Sequence, residues 1–351
     1  MDGFVCVRLV QANAMDLTLF QFDYDLTFAA FFLNADRTIY GRYGSRSDRK
    51  DATRDMSMEG FRAALESALD LHKDYPSNKA LLAGKQGRPR QFKLPEEFPS
   101  LAGKYKPTLD YEGKVVQSCM HCHQVHDAER RLFRDDRKPI PDEVLYPWPM
   151  PNTVGLKLDA REKATVAEVV SGSAADLSGF KAGDVIQTVE RQPILSTADV
   201  QWALHNAGQP ASLKTQVLRG GKKLNLTLNL GTGWRRQSDI GWRVTTWDLR
   251  RMAAGGLVLD ELTPEERSNA KLSDKELALR VKHVGQYGEH AAAKRAGFKE
   301  DDILITVAGD SARMTENELL ARLVQTRMPG EKIAVTVFRA AGRVELELPM
   351  Q

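Results

Sequence analysis

Ser173-Ala-Ala-Asp-Leu-Ser-Gly-Phe-Lys-Ala-Gly-Asp-Val-Ile186 and Ala291-Ala-Ala-Lys-Arg-Ala-Gly-Phe-Lys-Glu-Asp-Asp-Ile-Leu304 carry one pattern twice. Each reads as a small-residue helix, a glycine turn, and an aspartate before an apolar pair. Glycine lets the chain turn sharply, the aspartate caps the turn, and the apolar pair enters a core strand. Gly179 and Gly297 lie 118 positions apart, as do Thr197 and Thr315, which open the next helices. Val217-Leu218-Arg219 and Val337-Phe338-Arg339 match near the two ends. A repeat this long marks two copies of one domain within residues 151–351. Copy one keeps a second glycine, Gly183, where copy two has Asp301, so the second turn is expected to differ.

The pattern closely resembles PDZ domains of the bacterial, HtrA-type kind. The resemblance implies two tandem β-barrel-like domains, at residues 151–232 and 238–351. It also implies that each takes an extended C-terminal peptide as an added strand, its carboxylate held by backbone N–H groups. The carboxylate loop of such domains resembles x-G-Φ-x-Φ. Copy one offers Val154-Gly155-Leu156-Lys157-Leu158, and copy two offers Ile240-Gly241-Trp242-Arg243-Val244 before a longer insertion. On the facing helices, Val200, Ala203 and Leu204 in copy one and Leu319, Leu320 and Leu323 in copy two are groove or core residues. The expected partners are peptide C-termini or unfolded proteins.

Cys119-Met-His-Cys-His123 spells C-x-x-C-H and uses two of the three cysteines. The spacing suits covalent haem c, with Cys119 and Cys122 each joined to a vinyl group and His123 as an axial iron ligand. Two rivals stay open: a dithiol or disulfide pair, and a zinc site using Cys119, Cys122 and His126, with His121 or His123 as further candidates. His126 lies one turn beyond His123 in a helix expected over 124–134, so it shares that face and is badly placed for the sixth iron position. Met150, after a proline-rich stretch, is either a returning sixth ligand or packing. Residues 76–150 hold this motif and few apolar runs.

Residues 1–75 read as α/β. Phe4–Val10, Thr27–Asn34 and Arg37–Tyr43 are strand-like, with a turn at 34–37, and Met58–Leu71 has helical spacing. Cys6 reads as a small core residue inside the first strand. The order resembles the second half of a thioredoxin fold, without its first strand and C-x-x-C helix. Taken whole, the chain resembles bacterial exported thioredoxin-like/PDZ (seleno)proteins. No thioredoxin C-x-x-C stands in this segment, so that family's oxidoreductase activity does not carry over. The opening residues lack the features of an export signal. Together, the two absences suggest a segment upstream of Met1.

Net charge is +3 and basic residues alternate with acidic ones, which argues against a nucleic-acid surface. The longest apolar runs are too short to span a bilayer. Neither G-x-S-x-G nor H-E-x-x-H occurs, so no protease motif is visible. Gly220-Gly221 and Gly255-Gly256 read as turns. Trp234, Trp242 and Trp247 read as inter-domain packing or a ligand platform.

The expectation is therefore an α+β multidomain protein: a partial thioredoxin-like segment (1–75), a Cys/His haem c-like segment (76–150) and two PDZ domains. The expected function is a periplasmic or extracytoplasmic electron-transfer protein with a redox partner. The alternative is a non-enzymatic PDZ adaptor or quality-control module with a zinc or disulfide Cys/His site.

Overall fold

The computed structural model describes residues 3–48, 54–339 and 342–351. The chain divides into two compact units, one of residues 1–125 with 146–239 and one of residues 126–145 with 240–351.

The first unit begins with an antiparallel pair, β1 (Ala30–Leu33) and β2 (Ile39–Tyr43). Asp36 closes the turn by accepting the Thr38 amide at 3.0 Å. Helix α1 (Met58–Lys73) starts where the Ser57 hydroxyl accepts the Gly60 amide. Its small residues Ala64 and Ala68 let Phe32, Tyr40 and Tyr43 close over it in one cluster with Leu82 and Leu195. Helices α2 (Lys79–Leu82) and α3 (Val115–Ser118) are single turns. Helix α4 (His123–Asp135) starts in this unit and continues in the other.

Two of the strand expectations hold, and one fails. Phe4–Val10 forms no strand, Val5 is 95% exposed, and Cys6 is exposed rather than in a core. The segment has β-forming residues, but a strand is stable only beside a partner, and none of the described residues pairs with it. Among the described residues the β1–β2 sheet stops at two strands. The thioredoxin-like reading has no support in this arrangement.

The rest of the first unit contains β3 (Leu156–Leu158), β4 (Val166–Val169), α6 (Ala174–Leu177), β5 (Val185–Val189), β6 (Gln192–Pro193), α7 (Thr197–His205), β7 (Ala211–Arg219) and β8 (Lys222–Leu230). β3 pairs with β4, and a four-stranded sheet runs β6-β5-β7-β8. An isolated bridge, Thr165 to Val185, joins the two. Phe180, Ile186, Val200, Leu204, Val217 and Trp234 lie within one buried cluster.

The second unit contains α5 (Asp142–Leu145), α8 (Thr246–Ala254), β9 (Leu257–Glu261), α9 (Pro264–Asn269), β10 (Leu279–Val284), α10 (Ala292–Arg295), β11 (Ile303–Val307), α11 (Glu316–Thr326), β12 (Lys332–Arg339) and β13 (Gly342–Pro349). Its sheet is continuous, in the order β13-β12-β11-β10-β9. The strand plan of copy one recurs, with β9 in the role of β3. The long insertion falls between β9 and β10, where a Thr263–Glu266 capping box starts α9.

The repeated aspartate explains why both copies share one corner. Asp184 is fully buried, accepts the Lys181 amide at 2.9 Å, and is gripped by Arg219 Nε and a terminal nitrogen at 2.6 and 2.7 Å. Asp302 makes the same bonds with the Lys299 amide and Arg339. Each arginine also donates to the turn carbonyl, Gly179 or Gly297. Burial pushes the Asp184 carboxyl up, but the Arg219 and Lys181 bonds outweigh it and hold it below 3.8. Its stabilisation is thus present above the unfolded value and is lost as pH falls through the lower folded one. Replacing Asp184 with Asn is expected to cost about 2–3 kcal/mol, the scale of a charge-assisted hydrogen bond. The loss should shrink as acid titrates the wild type. Urea melts at neutral and strongly acidic pH check both.

Candidate functional site: a bare strand edge in the first PDZ copy

Main-chain alternation defines the site. Val170 N–H donates to Gly155 C=O, and Asp159 N–H donates to Thr165 C=O, each at 2.9 Å. Residues 155, 157 and 159 therefore address β4, and the main-chain groups of Leu156 and Leu158 point to the opposite side. Among the described residues β3 has a strand neighbour on one side only. The edge is short. It starts at Gly155 and ends at Ala160, whose carbonyl accepts the Ser57 hydroxyl at 2.9 Å.

Gly155 is irreplaceable at the start of this edge. Its φ is +87, and a Cβ there would overlap the Ser173 side chain that caps α6. Val154 and Leu156 are 2% exposed and belong to the core cluster, Lys157 is exposed and paired with Glu168, and Leu158 is half-buried. On α7, Val200 and Leu204 are core residues at 3% and 1% exposure. Also on α7, Thr197 is half-buried and Gln201 is buried.

Helix α7 is fixed from outside by a charge cluster. Asp199, 2% exposed, accepts the Arg42 amide at 3.2 Å and the Leu195 amide at 3.0 Å, and pairs with Lys85 Nζ at 2.7 Å. Burial pushes the Lys85 ammonium down, and Asp199 partly restores it. Burial also pushes the Arg42 guanidinium to about 10, with Asp199 acting against the shift, and that guanidinium stacks 3.9 Å from the Trp202 ring centre. Ser196, the N-cap of α7, donates to the Arg42 carbonyl, and Trp202 Nε1 donates to the Gly84 carbonyl. Trp148 roofs the C-terminal half of the helix. It stacks on His205 with ring centres 4.1 Å apart, and its carbonyl accepts Gln201 Nε2 at 2.8 Å. After the domain, Trp234 Nε1 donates to Gly208 C=O, and Arg235 donates to the Leu204, His205 and Ala207 carbonyls at the helix end.

The second copy requires a correction. Ile240-Gly241-Trp242-Arg243-Val244 is not its carboxylate loop. Ile240 is fully buried and its carbonyl accepts the Arg243 amide and the Thr246 hydroxyl, so the stretch is the turn that starts α8. Trp242 and Arg243 are buried, and Val244 is half-exposed. The counterpart of Gly155 is Gly256, with φ +90, a Cβ position that would overlap the His290 carbonyl, and a carbonyl that accepts Gly285 N–H. The matching loop is Gly256-Leu257-Val258-Leu259, which itself fits x-G-Φ-x-Φ and follows the Gly255-Gly256 pair read only as a turn. Leu319, Leu320 and Leu323 are buried in α11. The helix starts also shift by one residue: Thr315 is the N-cap of α11, whereas Ser196, not Thr197, caps α7.

Cys119, Cys122 and His123 lie where α3 gives way to α4. Cys119 ends α3 in an extended conformation, Met120 is fully buried with its amide on Asn13 Oδ1, and His123 begins α4. His121 and His123 rings stack at 5.7 Å. Both thiols are free. Burial pushes the Cys122 thiol up, away from a reactive thiolate. Among the described residues, no three-residue metal-binding group includes Cys119, Cys122 or His123. His126 falls in the second unit, and Met150 leads into the turn before Gly155.

Residues 149–230 match the family model described as the PDZ domain, so the first unit contains a PDZ domain of the kind found in HtrA-type proteases. Among curated proteins the chain is 27% identical over 153 residues to the periplasmic pH-dependent serine endoprotease DegQ of Escherichia coli, covering 44% of this chain and 30% of DegQ. It is 34% identical over 84 residues to the periplasmic serine endoprotease DegP of Escherichia coli, covering 24% of this chain and 18% of DegP. The chain thus spans less than a third of the length of these relatives. A solved structure of the HtrA-type protease AlgW with decapeptide aligns at 17% identity and a TM-score of 0.25, covering 47% of this chain and 54% of that one. The matches to DegQ and DegP, both serine endoproteases, together with the PDZ family match, overturn the haem electron-transfer reading and favour the alternative of a PDZ module.

Two substitutions test the construction of the site. Asp199→Ala leaves Lys85 buried without its partner and is expected to cost about 3–5 kcal/mol. Gly155→Val, strained in φ and overlapping Ser173, is expected to unfold or displace β3, seen as loss of the Leu156 and Leu158 resonances from their native positions.

Proposed function

We propose that this chain is a non-enzymatic, extracytoplasmic peptide-binding module. It takes the C-terminal segment of another polypeptide, or an extended stretch of an unfolded one, as an added strand on β3. The observation that carries this reading is the one-sided pairing of β3 next to the positive-φ turn at Gly155. Strand addition gains affinity from main-chain hydrogen bonds, and this edge offers those of Leu156 and Leu158. The half-buried Leu158 lies on the edge and would meet alternate ligand side chains. The periplasmic relatives support the extracytoplasmic location. The absence of a nucleophile motif supports binding rather than cleavage. Within this reading Cys119 and Cys122 are structural, in keeping with the raised Cys122 thiol.

An immobilised octapeptide library with free carboxylates, and the same library amidated, test the proposal on the full chain. Retention by the free form, with at least tenfold weaker retention by the amidated one, is expected. Equal retention would remove the terminal carboxylate from the reading, and no retention by either would refute strand addition.

A further inference from the structure

The outward edge of β9 is the counterpart of the β3 edge, but its chemistry differs. Gly256 C=O addresses β10, so Leu257 and Leu259 point outward. In the second copy the outward Leu259 N–H is already used: it donates to Glu316 Oε1 at 2.9 Å. Glu316 is held in turn by Arg250 of α8, whose Nε donates to Oε1 at 2.9 Å and whose terminal nitrogen donates to Oε2 at 2.6 Å. The pair is nearly dry, with side chains 7% and 12% exposed. A bidentate arginine fixes the carboxylate plane, which keeps Oε1 on the strand amide.

The first copy has no such brace. Glu316 is the first helical residue after the Thr315 cap, and the residue in that place after the Ser196 cap is Thr197. A threonine side chain is too short and carries no charge. No acceptor is found for the outward Leu158 amide among the described residues. The brace also needs a helix in front of the edge strand. Helix α8, whose last carbonyls accept the Gly255 and Gly256 amides, supplies Arg250, whereas only a single 3-10 turn at Pro151–Val154 precedes Gly155.

We infer that the second PDZ copy is closed to added strands by its own side chain, Glu316 braced by Arg250, so that the peptide site of this chain is confined to the first copy. The inference rests on the strand-addition reading for what would otherwise enter. An incoming peptide carbonyl must displace a charged acceptor from Leu259, and would leave Glu316 and Arg250 facing a main-chain carbonyl. The edge of β9 thus serves as an internal anchor for α8, which packs on α11.

Residue-resolved amide exchange on the full chain tests this. In the wild type, Leu259 N–H should exchange at least tenfold more slowly than Leu158 N–H. Glu316→Ala should speed Leu259 about tenfold while leaving the β11 and β12 amides unchanged, and Arg250→Met should act in the same direction. Adding the free-carboxylate octapeptide library should slow Leu158 but not Leu259 in the wild type, and should slow Leu259 in Glu316→Ala. Equal wild-type rates, an unchanged Leu259 rate in Glu316→Ala, or library protection of Leu259 in the wild type would overturn the closure. So would a freed Leu259 that the library leaves unprotected. If the library leaves wild-type Leu158 unaffected, strand addition fails, while the peptide-free comparison still decides whether Glu316 caps the edge.

Discussion

Two glycines determine where each copy of the repeat can have an edge. Gly155 and Gly256 both sit at positive φ, and at both the place of a Cβ is taken, by Ser173 in one unit and by the His290 carbonyl in the other. The constraint is steric and local, but its consequence extends along the strand. Once the turn is fixed, the carbonyl of each glycine accepts an amide across the hairpin, and alternation assigns every later main-chain group to the paired or the outward side. The outward groups of β3 and β9 are therefore consequences of one backbone conformation, repeated.

The two copies diverge in how the helix facing that edge is held. In the first unit a dry carboxylate on α7, Asp199, gathers Lys85 and the Arg42 and Leu195 amides from outside the domain core. That arrangement fixes the helix from its outer flank, so nothing need cross to the strand. In the second unit the corresponding helix is anchored through the strand itself, by Glu316 on Leu259 with Arg250 behind it. A buried charge must be paired, and the pairing chosen decides which surface stays available. One solution preserves a strand edge and the other spends it.

The Cys119–His123 pentapeptide shows how little a short motif specifies. C-x-x-C-H is compatible with haem attachment, metal binding or a local structural turn, and its five residues do not choose among them. Their setting is partly enclosed. Met120 is enclosed, the Asn13 side chain and the Ala12 amide bind its main chain, and burial raises rather than lowers the Cys122 thiol.

The sequence by itself determined the repeat, including the turn aspartates Asp184 and Asp302 and the matching Arg219 and Arg339, though not that they pair. It also determined the β1–β2 hairpin, helices α1 and α4, and Gly155 as the turn of the first copy. Those features are short-range, and the residues that form them stand together or recur at a fixed interval. The tertiary structure alone decided that Phe4–Val10 stays outside any sheet, since a strand exists only with a neighbour. It moved the second turn from Gly241 to Gly256, because the intervening segment coils into α8 and no local signal announces which glycine receives the hairpin amide. It paired Glu316 with Arg250 and Asp199 with Lys85, across 66 and 114 positions. Such contacts depend on where the folded chain returns to itself, and periodicity along the chain carries no trace of that.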